Sequence, residues 1–238
     1  MILYKLTNQD LTTYGGCLWG KNVTHTADGQ GELCSEHWLH AYEHPLIAIF
    51  LNPIHGDFSD PILWECDGVV GTTDHGLKVG CTSLTTLRQI PLPVVTTEQC
   101  VRFAIACTVS VYQEPNFMAW VTSWISGTDR SEESVDMVTE LSEVLSWSAS
   151  LETVWSTMYV VHIMTSVIIP ALLAAIRVWL TMYVVHIMTR ARARLTVVAT
   201  AAAVAANWAC AVKNTNLDLI ACAEWAMREN TTLPVNPR

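Results

Sequence analysis

Between Thr153 and Thr189 the chain carries a single charge, Arg177. A helical hairpin of that polarity cannot stand alone in water, because it would expose apolar patches beyond the few hundred Å² that a monomer tolerates. A bilayer, a second subunit or the rest of the chain has to cover it. Within the stretch, Val154 to Thr165 recurs as Val178 to Thr189, with only Ser156 replaced, by Leu180. In one continuous helix an offset of 24 residues would turn the copies about 240° apart. Pro170 lies between them, so two separate helices with a shared packing face are expected. They are predicted to bury Met158, His162, Met182 and His186 in an oligomer interface. At about 25 cal/mol per Å², burying such faces drives association strongly.

Two uncharged runs, residues 153–176 and 195–212, reach the length of a membrane span. The first holds His162 and Pro170. The second is mainly Ala, Val and Thr, which insert weakly. Arg190, Arg192 and Arg194 would stay in the cytoplasm, and the acidic front part would then have to cross with no secretory signal at Met1–Lys5. A bundle buried in an assembly is therefore expected, with a membrane-active protein spanning within 153–212 as an alternative.

The charge is divided unevenly. Residues 1–150 hold 18 Asp and Glu against 6 Lys and Arg, and residues 151–238 hold 4 against 7. A net charge of −9 excludes a basic nucleic-acid binder. A hydrophobic content of 51% excludes a disordered chain. Eight cysteines without a Cys-x-x-Cys pair do not form a disulfide framework in a chain of this size. Eight free, mostly buried thiols in a reducing compartment, host cytoplasm or virion, are expected. The Asn-x-Thr sequences at Asn22 and Asn230 are then read as chance.

Residues 1–128 alternate short apolar runs with turn signals, which predicts an α+β head. Met1–Leu6, Ile62–Val70 and Ile90–Val95 read as strands. Trp38–Leu51 reads as one helix, with Leu39, Tyr42, Leu46 and Phe50 on a common face and Pro53 ending it. Within it His40 and Tyr42 are expected to be buried scaffold. Thr97 reads as the N-cap of a helix through Tyr112, and Asn116–Ile125 as another helix. Ser126–Asp129 is a break, and the boundary between head (1–128) and tail (129–238) is placed there. The tail contains no Gly and is rich in Ala, which favours an all-α hydrophobic bundle.

Motifs for chemistry are sparse. Neither a Gly-x-Ser-x-Gly elbow nor a glycine-rich phosphate loop occurs. Cys34, His37, His40 and His44 lie at helical spacing and have the chemistry of zinc ligands. A structural site takes a second pair from another segment, and only His55 and Cys66 are near, so no metal is expected. Lys5 on the first strand, His40 and Tyr42 after a turn, and Glu98 at a helix start resemble the layout of ADP-ribosyltransferases. In those enzymes an early basic or His residue and a later aromatic hold NAD, and a late Glu orients the ribose. Here Lys5 replaces the usual His or Arg.

A second resemblance covers residues 1–130. Tyr4-Lys5, Tyr14-Gly15-Gly16, Gly31-Glu32-Leu33-Cys34, Trp38-Leu39-His40-Ala41-Tyr42, Leu51-Asn52-Pro53-Ile54-His55 and Val95-Thr96-Thr97-Glu98-Gln99 are similar to an uncharacterised family of bacterial phages and mobile elements. Its members join such a module to an Ala-rich helical tail, and some are loosely called immunity proteins. The resemblance implies origin and layout and carries over no catalytic residues. The leading expectation is a non-enzymatic phage protein without a cofactor. It would be an oligomeric virion component or a module that binds a host factor, its partner a second copy or another phage or host protein. An ADP-ribosyltransferase-like enzyme is the alternative.

Overall fold

The computed structural model describes residues 1–110, 113, 115–130, 195–213, 217–228 and 233. The repeat at 154–189, with Met158, His162, Met182 and His186, lies outside the described residues. So does the candidate span 153–176.

The described head is α+β, and every strand pairing in it is antiparallel. β1 (Ile2–Thr7) pairs with β4 (Ile62–Asp74), and β4 forms a long hairpin with β5 (Lys78–Ile90). The other edge of β5 is shared along its length. β3 (Leu39–Ala41) takes Val79–Cys81, and β2 (Val23–Thr26) takes Ser83–Thr86. One residue beyond β3, Tyr42 exchanges two backbone hydrogen bonds of 2.8 Å with Tyr4 on β1. That pair closes a ring of strands, β1–β4–β5–β3–β1. Irregular register in β4 at Glu65/Cys66, Val69/Val70 and Val70/Thr72 supplies the bend that such closure needs.

Both faces of β1 are used. Leu3 joins an inner cluster with Trp19, Ala41, Trp64, Cys66, Val79, Cys81 and Leu84. Leu6 and Tyr4 face the helices. The loop after β1 folds back with Trp19 as its plug, 2% exposed. The Trp19 indole donates to Thr13 Oγ1 at 3.0 Å.

The stretch read as one helix from Trp38 to Leu51 is instead β3, a corner, and α1 (Pro45–His55). Pro45 disfavours helical backbone in the residue before it. His44 is accordingly extended (φ −143°, ψ 141°) and caps α1 through its own ring, which accepts from the Leu46 N–H. Pro53 sits inside α1, which runs on to His55. The strand expected at Ile90–Val95 is also corrected: Ile90 ends β5, and residues 91–96 carry no regular structure. Thr96, not Thr97, caps α2 (Thr97–Val109), in a reciprocal capping box with Gln99. α3 (Pro115–Ser126) matches the expected helix.

All residues from Cys100 to Val109 are buried, so α2 is enclosed on every side. Phe103 stacks on Phe50 of α1 with ring centroids 4.2 Å apart. The cover comes partly from the C-terminal part of the chain. α4 (Leu195–Lys213) and α5 (Leu219–Met227) both pack on α1 and α2. Ala202, Ala203, Ala206, Ala209 and Cys210 of α4 join the same apolar cluster as Phe50 and Phe103. Small side chains let the helices approach closely. Arg102, buried in α2, places its guanidinium 4.2 Å from the Trp225 ring centroid on α5. The core therefore crosses the 128/129 break in the chain. Among the described residues no helix is long and apolar enough to cross a membrane.

Because α4 shares the core of the head, Ala206→Leu is expected to destabilise the protein by about 1–3 kcal/mol through overpacking. Urea unfolding followed by tryptophan fluorescence and by helical circular dichroism should give one coincident transition, shifted by the substitution. Two separate transitions would show that the head folds without α4.

Candidate functional site

Ring closure gathers chemically capable side chains around β3. Lys5 points inward from β1 and is 7% exposed. Its Nζ donates to the His40 carbonyl at 2.9 Å and lies 4.5 Å from the Trp19 ring centroid. Lys78, at the start of β5, is also buried, and its Nζ donates to Cys34 Sγ at 3.0 Å. Neither ammonium pairs with a carboxylate among the described residues. Burial brings Lys5 down to about 8, against the opposing influence of the Cys66, Cys17 and Cys81 sulfurs.

Burial disfavours the charged form of two imidazoles, His40 and His55. Burial, then the Lys78 charge and His40, hold His55 down at about 4. Burial likewise lowers His40, reinforced by Lys78 and Lys5 and opposed by its hydrogen bond with the Leu33 carbonyl. The Tyr42 hydroxyl lies 3.3 Å from His55 Nδ1, and the two rings stack. Burial pushes the Tyr42 phenol well above its usual range.

Cys34 is exposed and sits on a built loop, residues 27–38. The Gly29 N–H donates to the His37 carbonyl at 3.0 Å, His37 pairs with Asp28 at 2.8 Å, and Ser35 Oγ donates to the Glu32 carbonyl at 2.6 Å. The Trp38 ring packs against Gly71 and Gly80 of the β4–β5 hairpin. A Cβ on Gly71 would come within 2.6 Å of its ring, and one on Gly80 within 2.5 Å of Leu33. Only glycine at these two strand positions admits the loop, and that docking holds Cys34 over Lys78.

The residues named from the sequence fall into three groups. Lys5 meets only the backbone carbonyl of His40, and Tyr42 turns to the helices and His55; Tyr42 is buried and His40 half-buried as strand and corner scaffold instead of a helix face. Glu98 does not join them: it is exposed in the first turn of α2 and pairs with Arg130 at 3.0 Å. Cys34, His37, His40 and His44 are separated because the segment is not a helix. They engage Lys78, Asp28, Leu33 and the α1 N-terminus in turn. Among the described residues no three His, Cys, Asp or Glu form a group able to hold a metal ion.

Sequence reasoning missed Lys78 and the pairing of His55 with Tyr42. The available signal was a lysine inside an apolar strand, Leu77-Lys78-Val79, the same pattern as Leu3-Tyr4-Lys5-Leu6. Chemically, Lys78 meets the exposed Cys34 thiol, the Tyr42 phenol meets His55, and Lys5 lies apart beneath Trp19; among the described residues no carboxylate pairs with either lysine. No family model, curated protein or solved structure matches the chain.

Lys5 titrates near 8 when folded and near 10.5 when unfolded. Between those values the unfolded chain binds more protons, so this lysine's contribution to stability rises with pH across the window and is least favourable below 8. Lys5→Met is therefore expected to stabilise the protein at pH 7, by on the order of 3 kcal/mol. The advantage over wild type should shrink as pH rises from 8 towards 10.5. Thermal unfolding of both proteins at matched pH checks this; a variant less stable at pH 7 would contradict an uncompensated buried ammonium.

Proposed function

We propose that the chain is a non-enzymatic binding module whose acidic head engages a basic protein partner. One observation carries the reading. Residues 1–130 hold 13 Asp and Glu against 6 Lys and Arg, and three of the six cations, Lys5, Lys78 and Arg102, are buried. Lys21, Arg88 and Arg130 remain outside, and Arg88 and Arg130 pair with Glu65 and Glu98. The surface is thus more acidic than composition implies. Fixed negative potential of this kind repels nucleic acid and anionic lipid and steers cationic proteins.

The loop 27–38 is the natural contact element. It carries exposed Asp28, Glu32 and Glu36, and its backbone is held by its own hydrogen bonds and by Trp38. A rigid loop loses little entropy on binding. The resemblance to phage and mobile-element proteins would make the partner a bacterial host factor. The ADP-ribosyltransferase alternative requires Glu98 to leave Arg130 and join Lys5, His40 and Tyr42.

The test is capture from a bacterial extract by immobilised full-length chain, with a parallel calorimetric titration of NAD. Basic proteins are expected to be retained at about 50 mM salt and released by about 500 mM, where screening is short-ranged. Glu32→Lys with Glu36→Lys should abolish retention without changing thermal stability by more than about 0.5 kcal/mol. Retention that survives both salt and charge reversal, or saturable NAD binding, would overturn the reading.

A further inference from the structure

We propose that Cys34 and Lys78 form a peroxide-reactive pair, in which the Cys34 sulfur is oxidised to a sulfenic acid that Lys78 then holds. The inference does not depend on the identity of any binding partner.

The two residues come from distant parts of the chain and meet at 3.0 Å. Lys78 is more than nine-tenths buried. Its ammonium meets no carboxylate among the described residues, and the sulfur is its hydrogen-bond partner there. A thiol is a weak acceptor for a buried ammonium. An oxygen on that sulfur would provide the strong acceptor that the site lacks. Reactive cysteines are partly exposed and lie beside a cation; Cys34 is exposed with the Lys78 ammonium 3.0 Å from its sulfur, although the exposed Glu32 and Glu36 flank it in the loop.

The other thiols are shielded. Cys66, Cys81, Cys100, Cys107, Cys210 and Cys222 are buried and Cys17 is half-buried. Burial pushes Cys66, Cys100 and Cys210 up to about 12 and Cys81 up to about 11.

The step balances with hydrogen peroxide as the only co-reactant. The sulfur attacks one peroxide oxygen, an S–O bond forms and the O–O bond breaks. The departing hydroxide takes up the proton of the thiol and leaves as water. Sulfur gives up two electrons and peroxide is reduced by two. The sulfenic oxygen then accepts the hydrogen bond of Lys78 Nζ.

The test treats the full-length chain with hydrogen peroxide, traps sulfenic acid with a 1,3-dione and locates the adduct by mass spectrometry. Cys34 should be labelled on the order of tenfold faster than Cys17. Lys78→Met should remove that advantage, and Lys78→Arg should keep most of it. A second readout does not depend on a variant's folding. In the wild type, the rate ratio of anionic iodoacetate to neutral iodoacetamide should be several-fold higher at Cys34 than at Cys17, since the Lys78 charge attracts the anionic reagent. Equal labelling of Cys34 and Cys17 by the trap, or equal reagent ratios at the two thiols, would overturn the proposal. So would a folded Lys78→Met protein with unchanged rates.

Discussion

The two backbone hydrogen bonds between Tyr4 and Tyr42 decide more of this structure than any other local contact. They turn an open sheet into a ring, and the segment 27–38 docks on its β4–β5 hairpin through Trp38 and Leu33 at Gly71 and Gly80. Without that closure β1 would be an ordinary edge strand with one wet face, and a lysine at position 5 would reach water. With it, both faces of β1 are covered, one by the inner cluster and one by α1. Lys5 then has nowhere to go but under Trp19. A carbonyl and an aromatic face only partly replace the water it has lost.

Closure also buries positive charge in an acidic protein. Lys5 and Lys78 enter from two strands that do not pair directly, and Lys5 is held beneath Trp19 and against the His40 carbonyl of β3. The docked loop then brings a thiol to the second of them. Each member is held by a backbone or packing feature independent of its chemistry: Gly71 and Gly80 admit Trp38, and the hydrogen bond between the His40 ring and the Leu33 carbonyl ties loop to strand. The sheet and its docked loop remove two of the head's six cations, Lys5 and Lys78, from the surface, and the packing of α2 on Trp225 removes a third, Arg102.

The helical layer follows a different constraint. α2 has no polar face to give to water from Cys100 to Val109, so it needs neighbours all round. α1 and α3 do not complete the enclosure, and α4 and α5 come from more than 65 residues downstream to do so. An alanine-rich helix with few charges, which by composition suits a membrane or a bundle, serves here as close-packed cover for α2.

The sequence by itself determined the strand at Met1–Leu6, the helix at 116–125, the break near Gly127 and the α+β character of the head. Each rests on local periodicity or on a residue with restricted backbone. It misled where two periodicities overlap. Leu39, Tyr42, Leu46 and Phe50 fit one helix face, yet Pro45 divides them between a strand and a helix. The zinc-like spacing of Cys34, His37, His40 and His44 dissolved with that helix. Three members of the candidate site, Lys5, His40 and Tyr42, were legible as polar residues in apolar surroundings. The pairings of Lys5 with the His40 carbonyl, Lys78 with Cys34 and Tyr42 with His55 were not, because they depend on long-range pairing of β3 with β5 and of Tyr42 with Tyr4. No local pattern encodes which strand a short segment will join; only the closed sheet, with its buried backbone groups to satisfy, fixes that choice.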